Sequence, residues 1–318
     1  MGSSPRKGTI IPVTPEAAAA VQRWSSSLAA LPPLLRGEPS ETTLEAVRSA
    51  YDAILGAHPA PGGISIQEVD MGGVPGIVVT PETVETGRTL FYIHGGAYIV
   101  GSPAGYHGLA GNLALRLKAR VFLPHYRLAP EFPFPTPLND TVSAYRWLLD
   151  QGQDPQQLMV AGDSAGGAMT VTVMTKARDL GLSLPAAGVA FSPWANLEHT
   201  GASMTNREGL DPLNSKEVLD LLARSFLDGE LPNNPDASPV FADVRGLPPV
   251  LVTIGESELM LSDAMRLAVH LAENRVRGSL DVWPGMFHVW QMHHDQLPEA
   301  RQALDDAARF LLRALPTR

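Results

Sequence analysis

Gly162-Asp163-Ser164-Ala165-Gly166 follows an apolar run that ends at Ala161 and precedes a helical pattern from Ala165 to Leu180. Between a strand and a helix, that spacing sets a serine on a sharp turn where small flanking residues avoid the crowded backbone. The helix N-terminus then brings partial positive charge beside an oxyanion forming at the serine. The chemistry implied is nucleophilic acyl transfer. A second element, His94-Gly95-Gly96-Ala97, follows the apolar run Leu90 to Ile93. Acyl transfer needs backbone N–H groups aimed at the tetrahedral oxygen, and paired glycines let a chain come that close. The plainer readings are a glycine-rich βα turn with an incidental serine, and an ordinary glycine turn.

Elements of the right kind surround both turns. Leu90 to Ile93, Val121 to Leu123, Leu158 to Ala161, Ala187 to Phe191, Val250 to Ile254 and Leu280 to Trp283 are short apolar runs, as expected of parallel strands buried on both faces. Helical patterns separate most of them, which predicts a doubly wound α/β sheet. Ahead of these, Ile64 to Val69 and Gly76 to Val79, joined through Met71-Gly72-Gly73, read as an antiparallel pair, making eight strands in all.

The first sixty residues read as two helices. Thr14-Pro15-Glu16 supplies an N-cap with proline at the first helical position, Val21, Trp24, Leu28 and Leu31 recur at helical spacing, and Pro32-Pro33 stops the run. Thr42-Thr43-Leu44-Glu45 starts a second helix through Val47, Tyr51 and Leu55, with Gly56 as its stop. The longest stretch without a strand, Asn196 to Arg245, holds one good helix from Ser215 to Leu227. Because ligands in open α/β sheets bind beyond the carboxyl ends of the strands, these two segments together are expected to form a lid there. The division expected is therefore 1–60 as helices contributing to a cap, 61–195 with 246–318 as the catalytic domain, and 196–245 as the cap insertion.

Composition narrows the function classes. The chain has 318 residues, 44 % hydrophobic and 18 % charged, with 29 glycines and 28 prolines spread along it, which excludes disorder and collagen-like repetition. The formal charge of −9 comes without an acidic run or a basic cluster, so nucleic acid is not an expected partner. Zero cysteines exclude a disulfide framework, a thiolate metal site and a cysteine nucleophile, and nothing demands an oxidising compartment. Arg6 and Lys7 precede an apolar run, Ile10 to Val13, too short for a signal-peptide core, and no stretch approaches the roughly 18 apolar residues that span a bilayer. The expectation is a cytoplasmic protein outside any membrane.

Five ordered motifs carry a resemblance over nearly the whole chain: His94-Gly95-Gly96-Ala97-Tyr98, Tyr126-Arg127-Leu128-Ala129-Pro130-Glu131, Gly162-Asp163-Ser164-Ala165-Gly166-Gly167, Ser192-Pro193-Trp194 and Gly285-Met286-Phe287-His288. In these the chain resembles the bacterial hormone-sensitive-lipase-like (family IV) esterases of the α/β-hydrolase superfamily. The resemblance implies an α/β-hydrolase fold, a mostly parallel eight-stranded sheet with helices on both faces and a helical cap. It also implies hydrolysis of small to medium carboxylic esters without metal or organic cofactor, and a homodimer is a common arrangement in that family. Lactone hydrolysis by the same groups is a related reading. A non-catalytic receptor on the same fold is the reading from a different class.

By position in the motifs, Ser164 is the implied nucleophile, and Gly95, Gly96 and Ala165 the implied amide donors of an oxyanion hole. Ala97 stands where the family's third glycine is usual. In this fold the order of the triad is serine, acid, histidine. His288, in the loop after the last strand, fits the base, whereas His293 and His294 fall beyond it; the three lack the spacing of a helical metal site. For the acid, Asp211-Pro212-Leu213 matches a common family tripeptide but follows no strand. The loop Gly255-Glu256-Ser257-Glu258-Leu259 does follow one, so Glu258 is expected to orient the imidazole, with Glu256 and Asp263 as alternatives. Activity is then expected to decline below about pH 6 as the base, with its reference pKa of about 6.5, takes up a proton. Tyr126 to Glu131 is expected to brace the loop under the oxyanion turn, His125 stands where a carboxylate or amide is usual, and Asp163 is expected to stabilise its turn.

Overall fold

The computed structural model describes residues 15–316, except for the side chains of residues 16, 17 and 20. Thr14, the run Ile10 to Val13, and Arg6 with Lys7 lie outside the described residues. Eight strands form one sheet: β1 (Ile64–Asp70), β2 (Pro75–Pro81), β3 (Thr89–Ile93), β4 (Arg120–Pro124), β5 (Leu158–Asp163), β6 (Ala187–Phe191), β7 (Val250–Gly255) and β8 (Gly278–Trp283). Their spatial order is β1-β2-β4-β3-β5-β6-β7-β8. β2 is antiparallel to β1 and to β4, and the other pairings are parallel.

Each apolar run of the sequence is one of these strands. β3, β5, β6 and β7 are buried at every residue, because helices cover both sides. Ten helices among the described residues flank the sheet: α1 (Pro15–Ser27), α2 (Leu31–Leu35), α3 (Leu44–Leu55), α4 (His107–Leu117), α5 (Thr136–Asp150), α6 (Ala165–Asp179), α7 (Ser203–Asn206), α8 (Lys216–Leu227), α9 (Leu261–Glu273) and α10 (Pro298–Ala314). The path β3–α4–β4 steps one way along the sheet, while β4–α5–β5 and β5–α6–β6 step the other way. Right-handed crossovers then put α4 on one face and α5 and α6 on the opposite one, and α10 packs against α4. The reversal falls between β3 and β5, so the crevice at their carboxyl ends is where a ligand site belongs. Both chemically suggestive turns begin there.

One helix boundary differs from the sequence reading. Pro32 and Pro33 do not stop α1, which ends at Ser27; they occupy the first turn of α2, where a missing N–H breaks no helical hydrogen bond. The cap of α3 is Thr43, whose Oγ1 accepts the N–H of Ala46 at 3.2 Å. Between β6 and β7 no strand intervenes, and α8 begins at an N-cap Ser215 that accepts from Val218 N at 3.3 Å. α8 packs on α2, and α1 on α3. No helix among the described residues is long and apolar enough to cross a membrane.

Candidate active site

Ser164 stands between the last residue of β5 and the first of α6, with φ 54° and ψ −116°. Such a backbone conformation is uncommon for a residue with a side chain and has to be held by its surroundings. Here the Ser164 N–H donates to Phe191 O at 2.9 Å, and its carbonyl accepts from Trp194 N at 2.9 Å. The turn is thereby fastened to the segment following β6.

His288 comes from the loop after β8. Its Nε2 lies 2.9 Å from Ser164 Oγ and its Nδ1 2.7 Å from Glu258 Oε2. An acceptor at Nδ1 assigns the proton to that nitrogen, leaving Nε2 to accept the serine O–H. Glu258 is fully buried. Its other oxygen accepts from Ser192 Oγ at 2.7 Å and from Gly255 N at 2.6 Å. Ser192 in turn accepts the N–H of Val289 at 3.1 Å, so one hydroxyl ties the glutamate to the residue after His288. Ser192 appeared in the sequence only as part of a motif; its contact with Glu258 crosses 66 residues and leaves no local trace.

Burial disfavours both charged forms. For Glu258 it prevails over the neighbouring imidazole and the carboxyl is pushed up. For His288 burial pulls downward, but the hydrogen bond and charge of Glu258, joined by the carboxylates of Asp211 and Asp163, outweigh it and the imidazole ends above its ordinary value. Glu256 is instead half exposed and paired with Arg207 at 3.1 Å. Asp263, buried in the first turn of α9, accepts from Asn196 Nδ2 at 3.0 Å and Arg266 at 3.1 Å. Neither meets His288. His293 and His294 are buried away from the serine, His293 edge-on to His58 with ring centres 4.6 Å apart and His294 beside Asn112 at 3.2 Å. His125 is exposed.

The turn after β3 requires a correction. The Gly95 N–H donates to Asp163 Oδ1 at 3.1 Å and to Tyr106 Oη at 3.0 Å, and is thus turned toward the interior and unavailable to an oxyanion. Gly96, at φ 109°, and Ala97, at φ 54°, reverse the chain immediately afterwards and line the same cavity as Ser164. Among the described residues no acceptor meets the N–H of either. Ala165 opens α6, where the first amides of a helix are free of intrahelical bonds. Beneath the turn, Asp163 also accepts from the hydroxyls of Tyr92 at 2.9 Å and Tyr106 at 3.0 Å. Burial still pushes its carboxyl up to about 6 against those hydroxyls. His94 stacks on Tyr126 with centroids 4.2 Å apart and donates from Nδ1 to Gly95 O at 2.7 Å, and Tyr126 donates to His94 O at 2.8 Å. Tyr126 thus braces the loop, as its motif suggested.

The cavity over Ser164 holds about 60 Å³, room for a handful of waters. Trp24, Leu28 and Leu31 from the N-terminal segment and Leu213, Asn214 and Leu222 from the insertion line it. An activated serine, free amides at a helix N-terminus and an apolar recess together suit attack on a carbonyl carbon whose substituent is small and apolar.

The chain is similar in sequence and fold to known proteins. The family described as "alpha/beta hydrolase fold" matches residues 90–292. An acetyl-hydrolase of Streptomyces hygroscopicus is 41 % identical over 251 residues, covering 76 % of this chain and 84 % of its own. An esterase of Acinetobacter venetianus is 31 % identical over 275 residues, 86 % of this chain and 90 % of its own. Among solved structures, an esterase from the bacterial hormone-sensitive lipase family superposes with a TM-score of 0.89 at 36 % identity, covering 96 % of this chain and all of the other.

Proposed function

This chain belongs to the bacterial hormone-sensitive-lipase-like esterases of the α/β-hydrolase fold family, and from that premise we propose that Ser164, His288 and Glu258 carry out its reaction on short-chain acyl esters. It is a carboxylic ester hydrolase. The observation that carries the assignment of roles is the unbroken sequence of contacts from Ser164 Oγ to His288 to Glu258 at the floor of the cavity.

In this reading His288 Nε2 takes the Ser164 proton as Oγ bonds to the ester carbon, and the carbonyl oxygen becomes the oxyanion of a tetrahedral intermediate. The N–H groups of Gly96, Ala97 and Ala165 receive that oxygen, a contact made in the transition state more than in the ground state. His288 returns the proton to the departing alkoxide, the alcohol leaves, and Ser164 holds the acyl group. A water then gives a proton to the same Nε2 and its oxygen to the acyl carbon, releasing the acid and restoring Ser164. Glu258 balances the imidazolium in both halves.

Short acyl groups are supported by the cavity volume of about 60 Å³. They are supported as well by the relatives named acetyl-hydrolase and, in Pseudomonas putida, ethyl acetate hydrolase. The helices of residues 15–55 and the segment 196–245 serve in this reading as the cap. The cysteine-free composition is compatible with a cytoplasmic location, which we also propose. A p-nitrophenyl ester series from acetate to palmitate, with and without an organophosphonate and with mass spectrometry of the adduct, tests the whole. The expected result is fastest turnover at acetate or butyrate, abolished by one adduct on Ser164. An adduct elsewhere would remove the serine's role, and faster turnover of palmitate would remove the short-chain preference.

A further inference from the structure

The insertion does more than wall the cavity. Three residues spaced four apart on it, Ser203, Arg207 and Asp211, all reach the loop that bears Glu258. Ser203 Oγ donates to Leu259 O and accepts from Ser262 N at 2.9 Å. Arg207 Nε donates to Glu256 O at 2.9 Å, and its guanidinium pairs with the Glu256 carboxylate at 3.1 Å. Asp211 Oδ2 accepts from Leu259 N at 3.2 Å. These contacts straddle Glu258, two residues to one side and one to the other. Asp211 also faces the cavity wall: its Oδ1 accepts from Leu213 N at 2.9 Å and Asn214 N at 3.1 Å, and its Oδ2 from Asn214 Nδ2 at 3.2 Å. Its side chain is buried, 6 % exposed.

We propose that residues 203–214 clamp the catalytic-acid loop, and that Asp211 is the positioning residue that joins the cavity wall to the triad. The inference rests on the roles given above to Ser164, His288 and Glu258. A substrate that seats against Leu213 and Asn214 presses on the same carboxylate that holds the amide following Glu258, so seating is felt at the acid. Asp211 acts through charge as well. Glu258, Asp211 and Asp163, all carboxylic, bear by charge on His288, while Arg207 is occupied by Glu256. Each carboxylate favours the protonated imidazole, so removing one lowers the pH at which the base becomes free. A residue with only a structural part would change stability and leave that pH where it was.

The test is the pH profile of kcat/KM on a p-nitrophenyl butyrate substrate for Asp211→Asn and Asp211→Ser, both neutral and both able to accept in the 211–214 turn. The expected result is an acid limb displaced by about half a pH unit or more to lower pH at low ionic strength, with KM raised severalfold. An acid limb unmoved in both variants overturns the proposal. Amide hydrogen exchange of the parent enzyme needs no variant: the Leu259 amide is expected to be protected like those of β7, and exchange at the rate of surface loops would equally overturn the clamp. Ser164→Ala is assayed alongside. If it is inactive while the Asp211 variants titrate like the parent, the clamp alone fails; if it keeps its activity, the assignment beneath it fails.

Discussion

Asp163, the residue before Ser164, accepts the N–H of Gly95 at 3.1 Å, so the turn that offers the serine and the turn that offers the oxyanion donors are one assembly. A Cβ at Gly95 would lie 2.2 Å from Asp163 Oδ2 and 2.9 Å from Asp163 O, with neither able to retreat. Gly95→Ala is therefore expected to displace Gly96 and Ala97 and lower kcat by about 10²-fold or more, as loss of an oxyanion donor does, although the Gly95 amide is no donor itself. Steady-state kinetics with far-ultraviolet circular dichroism checks this; a normal kcat in a folded variant would separate the two turns.

Ser164→Ala and His288→Ala are each expected to lose several orders of magnitude in turnover with the fold retained. Glu258→Gln keeps the shape but leaves His288 Nδ1 facing an amide, and an imidazole so misdirected costs on the order of 10³ to 10⁴ in kcat. Glu256→Gln, at a half-exposed ion pair with Arg207, is expected to stay within about threefold of the parent, since such surface pairs contribute ~1 kcal/mol or less. Parallel kcat/KM values for the four variants decide which glutamate serves.

The activity profile follows from the direction of the His288 shift. The imidazole must be neutral to take the serine proton, and its neighbours hold it above the ordinary value of 6.5. Activity is thus expected to rise with pH through a midpoint above 6.5, higher than the decline below about pH 6 that a reference histidine predicts. A midpoint at or below 6.5 in kcat/KM would show that the carboxylates do not reach the base.

Acid stability runs the other way. Burial holds His94 and His293 at about 3 and His294 at about 4. Unfolded, all three bind protons near 6.5, so below that pH the unfolded chain takes up more protons than the folded one, and stability falls from about pH 6.5 toward pH 4. Asp163, raised to about 6, and His288 and Glu258, both also raised, oppose this over part of the window, while His107, His125 and His199, lowered by burial like the first three, add to it. The midpoint temperature is expected to drop from pH 7.5 to pH 5, and less so in His293→Phe; equal slopes for the two proteins would refute the account.

The strands were legible because burial on both faces demands unbroken apolar runs, and Ser164 and His288 because strand ends mark the sites they occupy. Gly95 departs from the expected role for a conformational reason. Which amide of His94-Gly95-Gly96-Ala97 faces the serine depends on φ at Gly96 and Ala97, both positive, and on an acceptor 68 residues away in Asp163. Pro32-Pro33 misled because proline both ends helices and opens them, and only Ser27, not a strong stop in itself, tells which happened here. Asp211 follows no strand, and the carboxylate bonded to His288 is that of Glu258. The grip of Asp211 on Leu259 spans 48 residues and lies beyond any local pattern.

The reacting side chains hang from strand ends, whereas Trp24, Leu28, Leu213 and Leu222 belong to segments that pair with no strand. On the proposed reading, the groups that set the rate and many of those that shape the cavity lie in different stretches of the chain. Drift in the walls would, on that same reading, redraw which esters fit without touching the hydrolytic groups, and exchanging these segments between relatives would carry the preference with them. Where Ser203, Arg207 and Asp211 meet the 256–262 loop the two stretches are stitched together, and a graft that ignores those three positions would inherit a new pocket over a loosened acid.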